Sequence, residues 1–122
     1  MTAEARRRAE ARGRYAELLA ALYLLVKGYR VVARRHQTPV GEIDLVARKG
    51  RLLCFVEVKV RPDREKALEA VGTRTKQRSV QAAKAWLMQH PADSDLAIRF
   101  DVIALAPWRW PCHVQGAFEA PA

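Results

Sequence analysis

The segment Gly41-Glu42-Ile43-Asp44, followed by Glu57-Val58-Lys59, constrains this chain more than any other feature. Glu42–Arg48 and Leu52–Val60 read as two strands of a hairpin with Lys49-Gly50 at the tip. Pairing Arg48 with Arg51 sets Asp44 opposite Phe55 and Glu42 opposite Glu57. Opposed residues share a sheet face, and successive residues alternate. Ile43, Leu45, Cys54, Val56 and Val58 then line one apolar face. Glu42, Asp44, Glu57 and Lys59 gather on the other, at the end far from the turn. Asp44 and Glu57 become diagonal neighbours, roughly 7–8 Å apart. Like charges opposed across a sheet destabilise it, so a sheet that builds this cluster has a cation to place there. Hard divalent ions such as Mg²⁺ take carboxylate oxygens and keep several waters. Acids that simply face water are the plain alternative; Leu53 and Phe55, on the same face, argue that it is half covered.

The chain of 122 residues suits one domain, residues 1–122, with a core that needs no staples. Residues 1–12 form a basic arm free to reach for phosphate, and residues 106–122 an irregular tail. Two cysteines make no disulfide framework: Cys54 sits in an apolar strand and Cys112 in a Pro-flanked tail. His36, His90 and His113 are scattered and no Cys-x-x-Cys occurs, which argues against zinc. The charged, Ala/Arg-rich start lacks the apolar core of a signal peptide. No apolar run reaches the ~18 residues of a membrane span. The expected compartment is the cytoplasm, with no membrane partner.

Twenty-two Lys+Arg against thirteen Asp+Glu give a net charge of +9, the footprint of a nucleic-acid partner. The charge is clustered. Arg6, Arg7, Arg8, Arg12 and Arg14 lie at one end, and Arg61, Arg64, Lys66, Arg74, Lys76 and Arg78 follow the acidic pair. An anionic site ringed by cations suits a phosphate polymer together with a metal. Charge alone leaves an acidic protein or an anionic membrane open.

Residues 3–27 read as a first helix ended by Gly28. Glu17 is the only charge in its apolar second half, flanked at helical spacing by Gly13, Arg14, Ala20, Ala21 and Leu24. A lone acid there sits at the rim of the core or aims at a site. Tyr29–His36 reads as a strand, Glu65–Val71 as a short helix broken by Gly72, and Ala97–Leu105 as a strand. A longer helix capped by Thr73 or Thr75 runs to Gln89. The tail has no period; it adds an edge strand or packs over the core, with Trp108 and Trp110 favoured as core aromatics over base-stacking ones. The expected fold is α/β: an antiparallel meander, then a helical crossover to a parallel strand, in a mixed four- to five-stranded sheet flanked by helices.

Glu57 and Lys59, two apart on a strand, project to one side. Two carboxylates and a lysine are what metal-assisted phosphodiester hydrolysis needs: the acids hold the ion, and the lysine stabilises developing charge. Asp44 with Glu57-Val58-Lys59 resembles the PD-(D/E)xK motif of the restriction-endonuclease-like superfamily, with Ile43 standing where the motif's name has proline. The Gly-x-x-Asp form and the helical Glu17 resemble archaeal Holliday-junction resolvases. Nearly the whole chain is similar to the YraN-like family of small bacterial proteins. The shared landmarks are Glu17, Gly28-Tyr29, Gly41-Glu42-Ile43-Asp44-Leu45, Phe55-Val56-Glu57-Val58-Lys59, Arg61, Lys76 and Arg99-Phe100-Asp101-Val102. Val60 departs from the small polar or aromatic residue usual there.

The resemblance implies a restriction-endonuclease-like core. It implies Asp44, Glu57 and Glu17 as ligands of Mg²⁺ or Mn²⁺, Lys59 as the catalytic lysine, and Lys76 or Gln77 as an accessory group. Arg6, Arg7, Arg8, Arg61, Arg74, Lys76, Gln77 and Arg78 are the expected nucleic-acid contacts. Glu42 stands as a supernumerary acid and Asp101 as either a site acid or a structural salt bridge. The favoured function is a metal-dependent endonuclease on DNA, preferred over RNA, with branched or structured DNA and a homodimer implied by the resolvases. Two other classes stay open: a nucleic-acid-binding protein that keeps the fold without cutting, and an RNA- or ribosome-associated basic factor.

Overall fold

A computed structural model describes residues 2–120. Thr2 caps the first helix, α1 (Ala3–Val26), its hydroxyl accepting the Ala5 N–H at 3.0 Å. The basic residues 3–12 are therefore the exposed N-terminal half of one continuous helix. Gly28, at φ +92, turns the chain out of α1 in a conformation that only glycine adopts freely. Three strands follow: β1 (Arg30–Thr38), β2 (Gly41–Lys49) and β3 (Leu52–Val60). Two helices, α2 (Arg64–Ala70) and α3 (Thr73–Gln89), then carry the chain back to β4 (Ala97–Leu105), and β5 (Cys112–Phe118) closes it. The strands lie in sequence order in one mixed sheet, with β3 and β4 parallel and the other pairs antiparallel. This is the expected α/β architecture. Among the described residues no helix is long and apolar enough to cross a membrane.

Helices cover both faces of the sheet. Ala16, Ala20, Ala21 and Leu24 of α1 pack on Leu45, Ala47, Cys54, Val56 and Ile103. Small residues on the inner side of α1 let the helix lie close, as the sequence around Glu17 suggests. On the other face Val80, Ala83 and Trp86 of α3 cover Ile43, Val46, Leu53, Phe55 and Phe100, while Ala67 and Val71 pack on Val102 and Ala104. Burying a side chain such as Leu53 or Phe55 stabilises the fold by about 1.5–3 kcal/mol.

Several local expectations change. The hairpin pairs Lys49 with Leu52 and Leu45 with Val56, two residues away from the register that sets Arg48 against Arg51. Gly50, at φ +59, opens the two-residue turn, as a primed hairpin turn requires. A shift of two preserves the face of every residue in the paired segment, Leu45–Lys49 with Leu52–Val56. Ile43 does not join Leu45 on the α1 face; it packs under α3 beside Val46, so alternation breaks between Ile43 and Leu45. Across from this break Arg35 adopts φ +53. The cap of α3 is Gly72, with no side-chain hydrogen bond, in place of Thr73 or Thr75. The tail forms a true edge strand, and Trp108 and Trp110 stand in solvent, contrary to a role in covering the core. The one tryptophan packed in the core is Trp86, which donates to Asp93 at 3.1 Å.

Asp101 is fully buried and fully satisfied. It accepts two bonds from Arg99 at 2.8 Å, one from His113 at 2.8 Å and one from the Gly116 N–H at 3.0 Å. Gly116 takes φ +62 beside a register shift between β4 and β5, which aims its amide at the carboxylate. Lys27 donates to Nδ1 of His113 at 2.7 Å, leaving the proton on Nε2 for Asp101. Arg99 also reaches the Tyr29 hydroxyl at 2.7 Å. The network ties the end of α1 to β4 and β5.

Gly41 begins β2 against the backbone of α3. A Cβ there would collide with the Arg78 carbonyl, with the Arg78 Cα only 3.1 Å away. Gly41→Ala should therefore lower stability by about 1–3 kcal/mol, the usual range for overpacking, read as a lower urea midpoint at constant slope. An unchanged midpoint would show that α3 yields freely at this contact.

Candidate active site

The β2–β3 ladder stops at Leu45–Val56. One residue beyond, the Asp44 carboxylate takes the place of a strand partner and accepts the Val58 N–H at 2.8 Å. Asp44 is thereby fixed at the point where the two strands part, between an acid from α1 and an acid from β3. Glu17 reaches it from α1; when protonated, it shares a hydrogen bond with Asp44. Glu57 comes from β3 and pairs with Lys59, Nζ to Oε1 at 3.4 Å. Glu42 sits exposed at the rim, and its charge is felt by Glu17, Asp44 and Glu57 alike.

Electrostatics set this cluster apart. The side chains of Glu17 and Glu57 are only 14 % and 13 % exposed. Burial, reinforced by the charge of Asp44, pushes each of them up to about 7. Burial also raises Asp44, opposed by the Val58 N–H and by Lys59. The compensating cations are too few. Arg35 Nε stands 3.5 Å from Glu17 Oε1, an ion-pair distance without hydrogen-bond geometry, so that buried oxygen has no hydrogen-bond partner. Hard oxygen donors with incomplete compensation fit a divalent cation of the Mg²⁺ type. Among the described residues, no three carboxyl, imidazole or thiol groups stand at metal-ligand spacing.

Glu17, Asp44, Glu57 and Lys59 thus share one neighbourhood, with Glu42 beside them. Asp101 does not belong to it: its hydrogen bonds go to Arg99, His113 and Gly116. Those bonds overcome its burial and hold it down at about 2, so its part is the structural salt bridge. Arg61 lies exposed just past β3, and Arg74, Lys76, Gln77 and Arg78 are exposed on the first half of α3. The backbone of Arg78 lies against Gly41, at the acidic end of β2. Arg6, Arg7 and Arg8 are exposed near the start of α1, more than two helical turns before Glu17. Arg35 was not foreseen as a partner of Glu17. Its left-handed backbone is what no residue pattern announces, since arginine rarely takes that conformation.

The raised glutamates make a pH statement. A carboxyl whose folded pKa exceeds its unfolded value stabilises the fold fully below the unfolded value and loses that contribution as pH rises through the folded one. With ordinary values of 4.5 and folded values of about 7, the metal-free protein should lose stability between about pH 4.5 and 7, by roughly a few kcal/mol. Thermal unfolding across that range in a chelating buffer checks this. Glu57→Gln should flatten the decline. A profile that rises with pH, or that Glu57→Gln leaves untouched, would contradict the assignment.

Comparison with known sequences matches the chain to a family. Residues 16–105, which contain the four central side chains, match the model described as "Uncharacterised protein family UPF0102". A UPF0102 protein of Mesorhizobium japonicum is 50 % identical over 113 residues, covering 93 % of this chain and 90 % of that protein. One from Rhodopseudomonas palustris is 54 % identical over 105 residues, 86 % of this chain and 78 % of that protein. One from Chelativorans is 46 % identical over 123 residues, 98 % of this chain and 99 % of that protein. The chain belongs to the UPF0102 family, the YraN-like proteins.

Proposed function

We propose that this protein is a metal-dependent endonuclease of the PD-(D/E)xK type, with a restriction-endonuclease-like core, acting on DNA in the cytoplasm. The observation that carries the reading is the meeting of Glu17 from α1, Asp44 from β2, and Glu57 with Lys59 from β3 at a parted strand pair. Asp44, Glu57 and Glu17 would hold Mg²⁺ or Mn²⁺. When bound, that ion relieves charge on the phosphoryl oxygens and lowers the pKa of its water.

The protein's own groups have separate tasks. The Val58 N–H holds the Asp44 carboxylate in place. Lys59, beside Glu57, offers a fixed ammonium to the charge that develops on the phosphate. Glu17 and Glu57, pushed to about 7, lose their protons across the neutral range, so their capacity as acceptors and ligands grows there. Arg61, Arg74, Lys76, Gln77 and Arg78 offer phosphate contacts, and Arg6, Arg7 and Arg8 extend them along α1. A homodimer belongs to the same reading: Leu18, Leu22 and Leu25 stand exposed on one side of α1 and give a second copy an apolar face.

Binding without cutting is the competing reading. It rests on the acids' lack of ready-made metal spacing. Purified protein assayed with Mg²⁺ or Mn²⁺ on linear, flapped, four-way and single-stranded DNA separates the two. Asp44→Asn and Glu57→Gln should abolish cleavage while leaving DNA binding equal or tighter, because each removes repulsion toward phosphate. Lys59→Ala should stop cleavage with a modest loss of affinity. DNA binding by the wild type with no cut on any substrate would favour the binding module.

A further inference from the structure

The connection between β4 and β5, residues 106–111, reads Ala-Pro-Trp-Arg-Trp-Pro. Trp108 is fully exposed, and Trp110 is 88 % exposed. Each presents a large aromatic surface to water, which is unfavourable unless something covers it. Trp108 also holds φ +63, a left-handed backbone that bulky residues rarely adopt. Backbone strain of this kind gathers at functional sites. The Arg109 N–H donates to the Ala106 carbonyl at 3.3 Å, closing a turn over Pro107 and Trp108.

The position of the loop is informative. Strands β3 and β4 run parallel, with Lys59 paired to Ala104 and Val60 to Leu105. The Arg61 N–H donates to the Leu105 carbonyl at 3.0 Å. The tryptophan loop therefore leaves the sheet at the end where Glu57 and Lys59 stand, with Arg61 beside its root. It carries no acid, and Arg109 lies between its aromatics.

We infer that Trp108 and Trp110 form a stacking platform for unpaired nucleic-acid bases next to the acid cluster, so that the protein engages strands with a single-stranded segment. Every base has a flat face that an indole can cover, and flanking cations hold the phosphates. A membrane interface also attracts tryptophan and arginine. The phosphate-handling groups at the root of this loop favour nucleic acid over lipid. The inference deepens the nuclease reading and rests on it for the placement of the platform beside the cutting site.

Binding is measured on the full chain in metal-free buffer, so that no substrate is cut. The probes are an oligothymidylate, a forked duplex and a blunt duplex. Indole emission should be quenched by the first two, because Trp86 is buried and contributes a constant background. Trp108→Ala with Trp110→Ala should weaken binding to oligothymidylate and fork by about tenfold or more. Affinity for blunt duplex should stay within about twofold, and the salt dependence should not change, since no phosphate contact is lost. Trp108→Phe with Trp110→Phe should restore part of the affinity, as a merely structural role would not require. Equal losses on all three probes, or unquenched emission, would overturn the inference. So would tryptophan-dependent binding to phosphatidylserine vesicles with nucleic-acid affinity unaffected. The two readings fail separately. Quenching and fork preference without cleavage on metal addition support the platform and count against the nuclease. Cleavage indifferent to both tryptophans counts against the platform alone.

Discussion

The hydrogen bond from the Val58 N–H to Asp44 is the contact on which the site depends. It replaces a rung of the β2–β3 ladder with a side chain. The strands can then part without leaving that amide unsatisfied, a loss that would cost about 1–3 kcal/mol in a buried place. The parting lets an acid from α1 and an acid from β3 approach the same carboxylate. Alternation in β2 breaks at the same point, with Ile43 turning under α3 and Arg35 opposite in a left-handed conformation. Local irregularity and the geometry of the acid cluster are here one feature.

Two acids in one sheet, Asp101 fully buried and Asp44 partly so, stand in opposite surroundings. Asp101 receives four hydrogen bonds and is held at about 2. Asp44 receives one bond from the backbone, and its acidic neighbours rise to about 7. The first arrangement is complete and stabilises the fold. The second leaves negative charge with too little to offset it, a cost that a bound cation would relieve. Perturbed carboxyls cluster at functional sites for this reason.

Much of this was legible in the residues. The two-residue period of Glu57-Val58-Lys59 places both polar side chains on one side whatever the register, so a two-residue error in hairpin pairing left the grouping intact. The landmarks from Glu17 to Asp101 carried the family. What stayed illegible depended on the backbone. The positive φ of Arg35 and Trp108 has no sequence signal. The tail strand was obscured because β5 pairs through a register shift and carries a glycine in its middle. Trp108 and Trp110 were misread because aromatic content speaks for burial in general and not for a particular loop. The bonds that Asp101 takes from His113 and Gly116 come from β5, too distant in the chain to be paired by spacing.

In the proposed site Asp44, with Glu17 and Glu57, would take a divalent cation. Calorimetric titration of Mn²⁺ into the protein without nucleic acid tests it directly, repeated near pH 7 in two buffers of different ionisation enthalpy. Ligands must shed protons to bind metal, and the glutamates stand near 7. Saturable uptake with proton release is expected, both lost in Asp44→Asn. No uptake by the wild type, or uptake unaltered by Asp44→Asn, would contradict it.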